Sequence, residues 1–275
     1  MTFSQKNSSR DQNCQANAPI GIFDSGIGGL SVANAISEQL PFESFVYYGD
    51  TAHLPYGSKP LSQIRTYCQN IAQFLIEEKQ VKTVVVACNT ASAAAIDLLR
   101  AEWPGTPFVG MEPAVKPGAT KTLTGKVGVL ATEGTFSSKR YTSLTERFAQ
   151  NVEVWENPCI GLVEQIEKEA HLHKETQELL QSILYPMLEA GVDTFVLGCT
   201  HYPFVTPLIR QIIGPEKLII NPAPAVARQL QKVLTENGLL TQSKSDPSHQ
   251  FFTSGAQTDF NLAVNRFFRK ATVPV

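Results

Sequence analysis

A chain of 275 residues, 43% hydrophobic and 17% charged, is long enough for one large core or two modest ones, which excludes a small disulfide-stapled domain. Its 23 Lys and Arg against 25 Asp and Glu leave a net charge of −2, without the basic excess that a phosphate-neutralising surface needs. No apolar run reaches the roughly 18 residues that cross a bilayer, and the start MTFSQKNSSRDQNCQANAP has no apolar signal core, so a cytoplasmic chain with neither nucleic acid nor membrane as partner is expected.

Residues 1–18 are polar, rich in Ser, Asn and Gln, and read as a tail. From Pro19 short apolar, β-branched runs alternate with segments of helical period, the pattern of βαβ units on a parallel sheet. Strands are expected at residues 20–24, 45–50, 83–87, 107–111, 126–132, 152–155, 193–198, 217–220 and 249–254, with helices between them. Two Pro-rich stretches, 111–126 and 221–227, read as joints. They divide the chain into the tail, a first α/β domain of residues 19–112 plus 221–275, and a second α/β domain of residues 113–220. One large doubly wound sheet is the alternative that periodicity leaves open. Monomer and homodimer are equally compatible with the pattern, since surface and interface helices share it.

An internal echo favours two domains. TVVVACNTASAAAI (83–96) and TFVLGCTHYPFVTPLI (194–209) both run apolar strand, small residue, Cys, hydroxyl or amide, then helix. Cys88 and Cys199 thus fall at the carboxyl ends of strands, the edge where open α/β sheets bind ligands. A helix N-terminus there is expected to favour thiolate over thiol, from a reference value of about 8.5. One buried Cys is usually just a small hydrophobe, whereas two in matched contexts point to function. The cysteine total is five, odd and without a CxxC pair, which fits free thiols in a reducing compartment. Cys14, Cys68 and Cys159 are assigned no chemistry.

Polar residues gather at the same strand ends: Asp24 and Ser25 before GIGG, Asp50 and Thr51, Asn89 and Thr90, and Thr200 and His201. Asp24, Asp50 and Asn89 would equally suit N-cap or turn duties. His201 is close enough to Cys199 to hold a proton for it or, as a cation, to stabilise its thiolate. GIGG is neither GxGxxG nor a Walker A loop, so a small anion such as a carboxylate suits its N–H groups better than a dinucleotide. No metal is expected, because Cys199-x-His201 lacks a second ligand pair and His171-x-His173 lies in a polar stretch. A one-thiol Cys-His hydrolase would leave the second thiol idle. Inverting a tetrahedral carbon uses both, since one base takes a proton from one face while an acid delivers another to the opposite face, and the reverse reaction swaps the roles.

IGIFDSGIGGLSV, YYGDTAHLPYGSK, VVVACNTASAAA, GMEPAVKP, VGVLATEGT and VLGCTHYPF resemble, in this order and over about residues 20–227, the run of motifs of the bacterial glutamate racemase family. The resemblance implies a cofactor-independent enzyme that interconverts L- and D-glutamate to supply D-glutamate for peptidoglycan. It also implies two pseudo-symmetric α/β domains with mostly parallel sheets and the active site in the cleft between them. Cys88 matches the thiol that takes the proton from the D-isomer and Cys199 the one that takes it from the L-isomer, with Asp24 and His201 as their polar partners. A further family carboxylate falls on Glu164 in GLVEQIE, with Glu167 as its rival. Substrate contacts carried over by motif are Asp24, Ser25, Tyr56, Gly57, Asn89, Thr90, Thr200 and His201. The chain is also similar to the members with an extended N-terminus, in which UDP-MurNAc-L-alanine activates catalysis near the domain joint. The competing readings are a racemase of the same superfamily acting on aspartate or more broadly, and a clamshell protein that binds an amino acid without changing it.

Overall fold

The computed structural model describes residues 15–168 and 173–269. In chain order its strands are β1 (Ile20–Asp24), β2 (Phe45–Gly49), β3 (Thr83–Val86), β4 (Phe108–Gly110), β5 (Lys126–Leu130), β6 (Glu153–Asn157), β7 (Thr194–Leu197), β8 (Leu218–Ile220) and β9 (His249–Thr253). They form two sheets rather than one, ordered β4-β3-β1-β2-β9 and β6-β5-β7-β8. Every pairing is parallel. The central strands β1, β3 and β7 are buried along their whole length, as parallel strands covered by helices on both faces must be. Alternation splits the first core in two: Ile20 and Ile22 face the helices Leu30–Gln39 and Ala223–Glu236, while Phe23 faces the layer of Ile64, Leu75 and Leu99.

Strand order positions the site. From β1 the chain steps outward to β2, then crosses back to place β3 on the other flank of β1; in the second sheet β5 is followed by β6 on one side and β7 on the other. Each sheet therefore has a switch point where two neighbouring strands send their following segments in opposite directions, leaving a crevice at their carboxyl ends. Asp24 ends β1 and Cys88 follows β3; Thr132 follows β5 and Cys199 follows β7. After β8 the chain returns to the first sheet, where β9 pairs with β2 and the helix Gln257–Phe267 stacks Phe260 on Tyr47 at 6.0 Å.

Both stretches expected to be joints enter helices. Val115–Lys121 is helical because Pro117 falls in the first turn, where its missing N–H costs nothing. Gly118 lets that helix lie on the second sheet, since a Cβ there would stand 2.9 Å from Val196 and 3.1 Å from Val127. In NPAPAVA, Pro222 and Pro224 occupy the start of the helix Ala223–Glu236. Of the expected tail, residues 1–14 lie outside the described residues, as do Cys14 and His171. Its last residues are docked: Ala16 is buried and its carbonyl accepts from Lys82 Nζ at 2.6 Å. Lys82 also pairs with Glu43 at 2.5 Å, both side chains sealed from solvent, and Glu43 takes the Thr241 N–H at 2.8 Å. Lys82→Ala, which strands the Glu43 carboxylate, is expected to cost about 3–5 kcal/mol in urea unfolding, and removing both charges together (Lys82→Met with Glu43→Leu) to cost less. Among the described residues no helix is long and apolar enough to cross a membrane.

Candidate active site

The two crevices face each other across one cavity. Ser25, Tyr56, Gly57, Cys88, Asn89 and Thr90 line it from the first sheet's side. Thr132, Val163, Gly198, Cys199, Thr200 and His201 line it from the second. The structure thus brings together every residue named for the site except two: Asp24 stands directly behind the wall, and Glu164 lies elsewhere.

Cys88 caps the helix Asn89–Glu102, its sulfur accepting from the Ala91 N–H at 3.4 Å and lying 3.8 Å from Ser25 Oγ. The expectation that this helix start would acidify the thiol is not met. Burial, reinforced by the Asp24 charge, pushes Cys88 well above the ordinary thiol value, and the Ala91 N–H and Ser25 hydroxyl only oppose it. Desolvation wins because the macrodipole contributes about 0.3–2 kcal/mol, less than the loss of water around a thiolate. Asp24, fully buried, accepts from Gly26 N at 3.2 Å, Gly29 N at 2.9 Å and Thr200 Oγ1 at 3.3 Å. Burial still lifts its carboxyl above the usual range, with His201 and the glycine N–H groups pulling the other way.

Cys199 lies in a different environment. No α-helix starts beside it, because Thr200 and His201 turn into a 3-10 segment, Tyr202–Val205, before the helix Thr206–Ile213. Its partner is instead His201, whose Nδ1 sits 3.6 Å from the sulfur while Nε2 sits 2.6 Å from Glu167 Oε1. Burial by itself would push the imidazole down, but the thiol on one nitrogen and the carboxylate on the other outweigh it and hold the ring well above its ordinary value. A sulfur on one nitrogen and a carboxylate on the other thus both favour the protonated ring.

The partner carboxylate is therefore Glu167, not Glu164. In the short helix Leu162–Glu167, Val163 lines the cavity, and Glu167 lies one turn further on the same face. Glu164 is exposed on another face. Ile27 N adds a hydrogen bond to Glu167 Oε1 at 2.8 Å.

Asn89 is buried at the cavity with neither amide atom bonded, the signature of a polar group waiting for a ligand. Tyr56 is held from behind, its hydroxyl donating at 2.5 Å to Asp50, which also accepts from Ser254 at 2.6 Å. Asp50 precedes the 3-10 turn Thr51–His53 without capping it by its side chain and does not line the cavity; its carboxylate supports Tyr56. Thr132, unremarked in the sequence, meets Thr90 Oγ1 at 2.9 Å across the cavity. Its position just past a strand in VLATEGT was the available signal. Among the described residues no cluster of His, Cys, Asp and Glu is built to hold a metal.

A parallel two-sheet α/β protein with a thiol at each of two facing switch points defines a class, that of enzymes positioned to move protons on both faces of one small molecule. Residues 20–230 match the sequence signature of the Asp/Glu/Hydantoin racemase family, and the chain belongs to that family. It is 49% identical to the glutamate racemase of Pseudomonas aeruginosa over 237 residues, 86% of this chain and 89% of that one. Among solved structures it is similar to a glutamate racemase of Bacillus anthracis (33% identity, TM-score 0.82, covering 91% of this chain and 93% of that one). It is also similar to Escherichia coli glutamate racemase in complex with L-glutamate and the activator UDP-MurNAc-Ala (31% identity, TM-score 0.81, 90% and 95% covered).

Proposed function

We propose that this chain interconverts L- and D-glutamate by two-thiol proton transfer at Cα. The observation that carries the reading is the pair of thiols at opposed switch points around one cavity, Cys88 beside Ser25 and within the field of Asp24, Cys199 beside His201. Their electrostatics are unequal in a useful way. Burial and Asp24 push the Cys88 thiol up, whereas the Cys199 sulfur faces His201 Nδ1 at 3.6 Å. In the L-to-D direction Cys199, as thiolate, takes the Cα proton, the C–H electron pair stays on carbon, and the Cys88 S–H proton forms the new bond on the opposite face, leaving a Cys88 thiolate. The reverse reaction starts from that product state, and the proton balance closes on the chain's own groups. Ser25, Thr90 and Thr200 hydroxyls, the Asn89 amide and backbone N–H groups supply donors to two carboxylates, and Asp24 and the Asn89 carbonyl supply acceptors to an ammonium. Fixed donors in a closed cavity stabilise the developing carbanion.

Residues 19–112 with 221–275, and residues 113–220, are inferred to be two domains that part to admit substrate. A cytoplasmic enzyme that supplies D-glutamate to peptidoglycan is the reading we propose from the family's task. UDP-MurNAc-L-alanine, present in the Escherichia coli complex, is proposed as an activator here, and turnover measured with and without it decides the matter.

Chiral chromatography of L-glutamate, D-glutamate and aspartate incubated with the protein in D2O tests the function. Racemised glutamate with deuterium at Cα is expected; glutamate recovered with its enantiomer and Cα hydrogen unchanged would leave a binding protein in its place. Within this reading Glu167→Gln is expected to lower kcat roughly 10- to 100-fold by loosening His201. Glu164→Gln should stay within about twofold, as surface changes do.

A further inference from the structure

The turn that follows β1 lies between the two acid–base relays and serves both. Gly26 and Gly29 donate to Asp24 Oδ2, whereas Ile27, between them, donates to Glu167 Oε1. Asp24 ends a strand of the first sheet and Glu167 a helix of the second sheet's side, so one short turn touches carboxylates on both sides of the cleft. The fit has no slack: a Cβ on Gly26 would stand within 2.1 Å of Glu167 Oε1, and one on Gly29 within 2.6 Å of the Asp24 Cβ.

The height of this turn is set from below. Tyr47, in the middle of β2 and wholly buried, donates its hydroxyl to the Gly26 carbonyl at 2.9 Å. Its ring is fixed by Phe260 at 6.0 Å and Phe251 at 6.2 Å. Burial, then the nearby Asp24 and Glu167 charges, push the phenol well above its ordinary value, so it keeps its proton and acts on the carbonyl as a donor.

We propose that Tyr47, which does not line the cavity, is a positioning residue for both proton relays: its hydroxyl clamps the Gly26 carbonyl and so aims the neighbouring N–H groups at Asp24 and Glu167 together. The proposal rests on the assignment of those two carboxylates as supports of Cys88 and of the Cys199–His201 pair. Losing the clamp lets the turn drift, and hydrogen bonds that stabilise ionised carboxylates weaken on both sides at once.

Tyr47→Phe, which keeps the ring, is the test, with Tyr47→Leu beside it as the packing control. In Tyr47→Phe kcat is expected to fall about tenfold for both enantiomers, the worth of one hydrogen bond, with KM changed less than about twofold and the urea midpoint near that of the parent chain. The acid limb of the kcat/KM profile should move upward as Asp24 loses the Gly26 and Gly29 donors that pull it down. NMR titration of the His201 ring reads the same device without turnover, and its midpoint is expected to move in Tyr47→Phe. Unchanged kcat with an unmoved acid limb and an unmoved His201 titration overturns the proposal, as does a loss confined to Tyr47→Leu that follows its stability. A parent chain inactive on glutamate, with the His201 midpoint still moved in Tyr47→Phe, would sink the functional reading and leave the positioning role standing.

Discussion

Cys88→Ala and Cys199→Ala are each expected to lower glutamate racemisation at least 10³-fold, within the range of about 10²–10⁴ that positioned acid–base groups contribute. Because enantiomers have equal free energy, the equilibrium constant is unity, and the loss in kcat/KM must be the same from L- and from D-glutamate. The two variants are told apart by hydrogen exchange. Cys88→Ala retains the Cys199–His201–Glu167 relay, so it should wash solvent deuterium into L-glutamate without inverting it. Cys199→Ala retains only Cys88, and should label D-glutamate alone. It should do so more slowly, because burial and Asp24 push the Cys88 thiol up. Exchange of both enantiomers by either single variant would mean that one sulfur reaches both faces of the carbon, and the two-sided geometry would be wrong. Stability is not expected to confuse the result, since each sulfur is a small part of a core layer built mainly from larger aliphatic and aromatic side chains.

Much of this arrangement was legible from residues alone, for definable reasons. All nine described strands overlap the runs that predicted them, and the central ones were clearest, because a strand buried on both faces leaves an uninterrupted apolar signature that no surface helix shares. The thiols were legible for the same reason: a polar triplet directly after such a run must emerge at the sheet's carboxyl edge. Whether one sheet or two was formed depended on strand order, which is a long-range property, and periodicity carries no information on it. The choice of Glu164 failed because motif context is thin in GLVEQIE. Helical geometry would have decided for Glu167, since a side chain one turn on from cavity-lining Val163 shares its face. The acidity expected for Cys88 failed on magnitude, as local sequence shows the helix start but not the depth of burial that overrides it. Thr132 and Tyr47 were missed because their partners, Thr90 and Gly26, are 42 and 21 residues away in the chain.

Gly28→Ala is expected to have the second largest effect, and by a route that leaves the acid–base residues in place. A Cβ on Gly28 would stand 2.4 Å from His201 Nδ1, 2.6 Å from its Cε1 and 2.7 Å from Thr200 Oγ1. Nδ1 is the nitrogen that faces the Cys199 sulfur, so the methyl group must either drive the ring away from the thiol or hold the two walls of the cleft apart. Either response displaces the relay by something near an ångström, and a misplacement of that size is worth about 10² in rate. The cost should appear chiefly in kcat, because the Ser25 and Thr90 hydroxyls and the Asn89 amide lie on the first sheet's side, away from the crowded His201 and Thr200. Folding should be spared, since the atoms that crowd Gly28 belong to the opposite wall and not to the core beneath it. Gly105→Ala is the matched control: nothing lies within 4 Å of the added methyl, and the change should be neutral or slightly stabilising. Steady-state kinetics with urea unfolding on both variants distinguishes the cases. A Gly28→Ala enzyme within about threefold of the parent kcat would mean that the cleft tolerates a looser contact than this geometry allows, and His201 would lose its place as the partner of Cys199.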